Sequence, residues 1–440
     1  MPSTPPPQSP SPPTAAADLQ ALLDAARPFL RGELEVVDPR LPSLVATLRS
    51  VGAGECWHKH GSFLEHLVDI YRVLRLWRVP DAVCLCGLFH SAYSNSYVNL
   101  AIFDPNTGRD VVRSHVGDAA ERLIHLFCII PRHTIIHDDL LFRYDDAELV
   151  EHLKLSEMSL RSAKEKGVFR GDEAWRKKVQ SLLPAEGIRV KHIKTGEEVL
   201  VSRRVIATFL MMTMADFSDQ LFGFQDMLFE NSDGRLEFTG NNFWALWPGD
   251  GKPGLWMNSI SRMGAVYMLV VREEEMFMLE RRKKSSKSNA DSEPPAEEER
   301  DEDIELVVPP VFESCTRVLG AREQIEARDK YWEAVCEVSG GGGEQYGAVE
   351  RRLRESVEKN PFVGEPRVVL GQVYLGEGRY EEAEREAEAG LRLLLEWGSP
   401  WDKRTSWEGW VAWARVLLMK ARERSWPNTS WGILNLGLVK

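Results

Sequence analysis

The chain is poor in most of the features that would identify it at once. Only six cysteines occur in 440 residues. Cys56, Cys84, Cys86, Cys128, Cys315 and Cys336 sit mostly in apolar helical text, which excludes a disulfide-built fold and favours reduced thiols. Cys84 and Cys86 form a C-x-C pair, but no second pair stands at zinc-finger spacing, so both read as core thiols. No stretch approaches 18 uncharged apolar residues, and no membrane span is expected. Positive charge is also short. Lys and Arg total 55 against 67 Asp and Glu, for a net charge of −12. An acidic chain without a dense basic stripe argues against nucleic-acid or membrane-surface partners. "PNTGRD" lacks the Lys-Ser/Thr of a phosphate loop, and no G-x-S-x-G elbow or Cys-His nucleophile pattern is visible. The opening "MPSTPPPQSPSPPTAAADLQALL" has neither the basic and apolar regions of a secretory signal nor the arginines of a transit peptide. Residues 1–16 therefore read as a disordered leader, and cytoplasm with nuclear access is the expected location.

What is present describes a globular protein of two or three domains: 43% hydrophobic and 28% charged residues. Apolar spacing of three and four predicts helices in "DLQALLDAARPFLRGE", "LPSLVATLRSVGAG" and "SFLEHLVDIYRVLRLW". In the last, Ser62 and Glu65 form a capping box. "PDAVCLCGLFHSAY" opens with Pro80 and Asp81 at a helix start. It is apolar on nearly every side, which implies a fully buried central helix. "VGDAAERLIHLFCIIP", "VIATFLMMTMADFSDQLFGFQDML" and "MNSISRMGAVYMLVV" are further helices, with Asn258 as the expected cap of the last. "GIRVKHIKTGEEVLVSRR" alternates around a "KTGE" turn and predicts a β-hairpin.

From 273 to 305 charge, serine and proline dominate, and this stretch reads as a charged disordered linker. It divides a helical domain, 17–272, from a second one, 306–440. In the second, Leu370, Gly371, Tyr374, Gly378, Tyr380, Ala383 and Gly390 fall on the pattern of a tetratricopeptide repeat. Up to three helix pairs fit that register, with "WEGWVAWARVLLMKARE" closing the array. Seven of the 14 tryptophans follow residue 396. They read either as a closing layer over the last repeat or as an aromatic partner surface, with Trp407, Trp410 and Trp413 as its candidates.

All ten histidines lie between His58 and His192, so any metal site belongs to the first domain. The segments "FLEHLVDIYRVLRLW", "VCLCGLFHSAY" and "IATFLMMTMADFSDQL" resemble the helical core of the HD superfamily of metal-dependent phosphohydrolases. The resemblance covers about 60 to 220. It places the first metal-binding His on His66, the His of the His-Asp pair on His90 and the last Asp on Asp216. The position of the paired Asp is Ser91, a neutral and much weaker ligand, which disfavours a two-metal hydrolase. His66, His90 and Asp216 remain as a 2-His-1-carboxylate set for one divalent metal ion. His115 and His60 could supplement it, and Asp69 lies on a nearby helical face. A closer resemblance is to an uncharacterised domain of unknown function found in plants and bacteria, carried by "HLVDIYRVLRLW", "GLFHSAY" and "GDAAERL". In plant members that domain precedes helical repeats.

The resulting expectation is an all-α chain: an HD-like helical bundle with a small β-hairpin, then a short tetratricopeptide-like array. Two functions follow. The favoured one is a degenerate HD-fold domain acting as a binding or scaffold module, with the repeats receiving a protein or peptide partner. The other is a metal-dependent hydrolase with an altered site, acting on a phosphate ester or nucleotide.

Overall fold

The computed structural model describes residues 15–58, 61–96, 101–104, 108–220, 222–227, 229–230, 237–238, 251–285, 301–316, 318–339, 346–434 and 436. The leader up to residue 14, His60 and the linker between 286 and 300 lie outside these. The fold is all-α with short antiparallel strand pairs. Helices α1 (Ala15–Leu30), α2 (Leu34–Val37), α3 (Leu41–Ser50), α4 (Phe63–Leu76), α5 (Asp81–Leu88), α6 (Gly108–Val116) and α7 (Asp118–Ile129) come first. Helices α8 (Asp146–Lys166), α9 (Ala174–Leu182), α10 (Arg203–Gln220) and α11 (Trp256–Ser285) complete the bundle. The expected hairpin forms between Ile188–Lys191 and Glu198–Val201, with Ile188 opposite Val201 and Gly196 in the left-handed conformation of the turn.

Helix α4 forms as its text predicts. The Ser62 hydroxyl accepts from the Glu65 N–H, and the Glu65 carboxylate accepts from the Ser62 N–H. Phe63, Leu67, Ile70 and Leu74 then turn one face into the core. Two helices are buried on nearly all sides: the short α5 and the 18-residue α10. Where α5 crosses α4, the residue is Gly87. A Cβ there would stand 2.4 Å from Leu74 Cδ1 and 3.1 Å from Ile70 Cγ2. Only glycine permits that approach, and the approach brings the ends of the two helices together at the site below.

Helices α12 (Pro310–Cys315), α13 (Ala321–Ser339), α14 (Tyr346–Lys359), α15 (Glu365–Gly376), α16 (Tyr380–Trp397), α17 (Trp407–Arg422) and α18 (Ser430–Leu434) follow. They stack as antiparallel hairpins, α13 on α14 and α15 on α16, closed by α17. Gly371 faces the backbone of Ala383 and Ala387 at 3.3–3.4 Å, and Gly390 faces Gly364 and Val368. The small residues picked out by the repeat pattern are thus where the two helices touch.

Three expectations need correction. The charged run from 273 is not linker: α11 continues unbroken to Ser285. Its first two acids, Glu273 and Glu274, are buried partners. Glu273 takes Arg176 at 2.6 Å, and Glu274 takes Arg203 and Arg204 at 3.2 and 3.0 Å. Residues on the far side of 300 are anchored as well, with Asp301 accepting from Ser202 at 2.5 Å and pairing with Arg122. Asn258 is not a cap, because α11 begins two residues earlier, at Trp256. Trp407, Trp410 and Trp413 are not a free surface, although Trp431 further on is exposed. Trp407 is 1% exposed and Trp410 7%, and Trp413 is partly buried. Their indole N–H groups donate inward, to Leu394 O, Asp402 O and Gln372 Oε1. Trp397 packs edge-on against Trp77 and Trp256 of the bundle, and Trp401 donates to Gly254 O at 3.1 Å. Aromatic residues of the hairpin stack therefore dock it onto the bundle.

Candidate metal centre

Three elements deliver one side chain each to a single point. His66 sits one turn into α4 and is 3% exposed. His90 lies two residues past the end of α5, in the turn that follows, and is 4% exposed. Asp216 stands in the last turns of α10, 9% exposed. One ligand atom from each lies within 4.8 Å of the others. Ligands held about 2.1 Å from a common ion stand roughly 3–4 Å apart, so closing this set on an ion takes movements on the order of 1 Å.

The outer ring nitrogens are already committed. His66 Nδ1 lies 2.8 Å from Asp219 Oδ2, and a carboxylate oxygen only accepts. His90 Nδ1 donates to the Gly87 carbonyl at 2.7 Å. Each ring thus turns Nε2 inward as the remaining donor atom. His66 Nε2 is 3.2 Å from Asp216 Oδ1, and the Gln220 amide approaches it at 3.4 Å. The two rings meet edge to face with centroids 5.3 Å apart. Carboxylate or carbonyl groups behind both imidazoles are the outer-shell pattern of metal-binding histidines.

The two imidazoles differ in charge. Burial pushes His90 down to about 4, so it is neutral at physiological pH. Burial also depresses His66, but its hydrogen bonds to Asp216 and Asp219 outweigh that and raise it to about 9. Without a cation the charge balance is completed by a proton on His66. With one, that proton is displaced.

The other sequence candidates fall elsewhere. Ser91 is buried, and its hydroxyl accepts from Asn95 Nδ2 at 3.0 Å, away from the triad. His115 is partly exposed on α6 and does not belong to the cluster. His58 packs at a tilt against His66 with centroids 4.4 Å apart and lines the cleft beside it.

That cleft encloses about 400 Å³. One wall is bundle: His58, Ser62, Glu65, His66, Asp69 and Asp219. The other comes from the stack: Pro400, Lys403, Thr405, Ser406, Trp407 and Glu408. Burial raises the Asp69 carboxyl to about 7 against the pull of Arg72, which bonds it at 2.6 Å. Burial pushes the Lys403 amine down to about 8. Sequence reasoning did not select Asp219, although the spacing to Asp216 puts both acids on one helical face. It could not select Lys403, which lies 185 residues from its contact on α10.

Residues 47–132 match the family model for a domain of unknown function, DUF6817. The matched segment holds His66 and His90 but ends before Asp216. No curated protein and no solved structure matches the chain.

Proposed function

We propose that the chain is a metal-dependent enzyme in which His66 Nε2, His90 Nε2 and the Asp216 carboxylate hold one divalent cation. The observation that carries this reading is the commitment of both Nδ1 atoms to outer acceptors, which aims the two Nε2 atoms and one carboxylate at a single point. A divalent cation there would supply Lewis acidity toward water or an anionic oxygen. The donor set suits one ion better than two, because Ser91 adds no carboxylate.

The surrounding residues fit a hydrolase of HD type acting on a phosphate ester or nucleotide. The cleft beside His66 is where we place the substrate; His66 is the one ligand of the three that lines it. Thr405 offers a hydroxyl to phosphate oxygens from the stack side. Asp69, its carboxyl raised by burial, lines the same cleft and is the residue to which we assign proton transfer. Asp219 and the Gly87 carbonyl hold the two imidazoles in orientation. The scaffold reading, which rests on Ser91 in place of an aspartate and on the hairpin stack, is the alternative; burial of Trp407 and Trp410 takes those two residues out of a partner surface.

The test is elemental analysis of the purified chain grown with excess divalent metals. Wild type should carry about one ion per chain and His90→Ala none, and only wild type should hydrolyse phosphate esters. Metal-free wild type would overturn the reading.

A further inference from the structure

Two helices carry the acidic and basic halves of the site, α4 with His66 and α10 with Asp216 and Asp219. The stack holds both. A single segment of it, from Glu396 to Glu408, reaches across the two helices. On α4 and its end, Trp77 Nε1 donates to Glu396 O at 3.0 Å, and Arg72 Nε to Gly398 O at 3.1 Å. Arg72 also pairs with Glu408 at 2.9 Å. On α10, Lys403 Nζ and Ser399 Oγ both donate to Ser218 O, at 2.7 and 3.0 Å, and Lys403 also bonds Ser399 Oγ at 2.8 Å. The segment lies tight against α4. Gly398 has φ +69°, and a Cβ there would stand 2.9 Å from Leu76 Cδ1 and 3.3 Å from Val73 Cα.

The choice of Ser218 O has a physical reason. Helix α10 ends at Gln220. The last four carbonyls of a helix have no partner within it and carry the negative end of its dipole. Ser218 O is one of them. It receives a cation and a hydroxyl from the other half of the molecule, two residues after Asp216 and one before Asp219. The last turn of α10 is the turn that aims both acids, and its closure is supplied from outside the bundle.

We propose that Lys403 is a positioning residue of the metal centre: the stack caps α10 through Lys403 and thereby fixes Asp216 and Asp219 opposite His66. The hairpin stack then serves the site in cis. This inference rests on the metal-centre reading, and one set of titrations separates the two.

Cobalt(II) is added to the full-length, chelator-stripped chain and followed by visible absorption, with competition against a chelator giving Kd. Wild type should bind one cobalt. Lys403→Met should bind roughly 10–100-fold more weakly, the usual effect of losing an outer-shell partner, with an altered cobalt spectrum and unchanged far-UV dichroism. Lys403→Arg, which keeps a cation at the helix end, should restore most of the affinity. Ser399→Ala should fall between Lys403→Met and wild type. If Lys403→Met matches wild type in Kd and spectrum, the positioning role is overturned while the metal centre stands. If wild type binds no cobalt, the metal centre falls and the positioning role with it. If Lys403→Met fails to fold, the other two variants decide: Lys403→Arg as weak as His90→Ala, or Ser399→Ala indistinguishable from wild type, overturns the role.

Discussion

The interiors of the bundle and of the hairpin stack are built on opposite terms. Where α4, α5 and α10 meet, the buried side chains include His66, His90, Asp216, Asp219 and Gln220. Where α15 meets α16, they are Gly371, Ala383, Ala387 and Gly390 between leucines and valines. The second arrangement is what close helix packing requires. The first costs stability, because each polar group must be stripped of water and repaid by a partner. A core that keeps two histidines and two aspartates in contact carries that cost in the bundle. The stack touches both of its helices through one segment.

Substitutions can break this contrast, beginning with the largest effect. His90→Ala should remove the bound metal altogether. In the metal-free protein it should also lower the melting temperature, because it leaves a cavity against Phe63 and Phe127 and an unpaired Gly87 carbonyl, and calorimetry without metal checks it. Trp77→Ala strikes the seam between the two halves. Trp77 is fully buried and touches Phe312 and Trp397, so its loss should cost about 3–5 kcal/mol in urea unfolding.

Next comes pH. The metal needs His66 without its proton, and in the metal-free chain the two aspartates, outweighing burial, leave that proton in place up to about pH 9. The folded value lies above the ordinary one of 6.5. Apparent metal affinity should therefore rise about tenfold per pH unit between 6.5 and 9 and then level off. A flat profile from isothermal titration over that window would contradict a charged His66. Asp219→Asn should weaken metal binding roughly 10–100-fold, because it removes the carboxylate behind His66 Nδ1. The smallest effect tests the stack side alone. The Ser406 hydroxyl caps α17 by accepting from Gly409 N, and Ser406→Ala should cost about 1 kcal/mol.

Local signals carried much of this into the sequence. The Ser62–Glu65 cap, the α4 stripe and the turn at Gly196 each depend on residues a few positions apart, and each formed as spaced. His66, His90 and Asp216 could be chosen because their types and helical settings match a pattern. The misreadings share one cause, which is distance along the chain. The acids of 273–274 looked solvated because their arginines lie 70 to 97 residues away. Trp407 looked available because the arginine that covers it, Arg72, belongs to the other half of the molecule. Helices α8 and α9 escaped notice for another reason: their apolar faces are diluted by charge, and tertiary packing decides them.

Arg72 also sets a clock. Its buried guanidinium finds Glu408 336 residues later in the chain. At roughly 5–20 residues per second, synthesis takes on the order of 20–70 seconds to cover that distance. During that interval α4, α5 and α10 can assemble while the second wall of the cleft does not yet exist. The newborn bundle therefore shows the solvent the face of His66, Asp69 and Asp219 that the stack later covers.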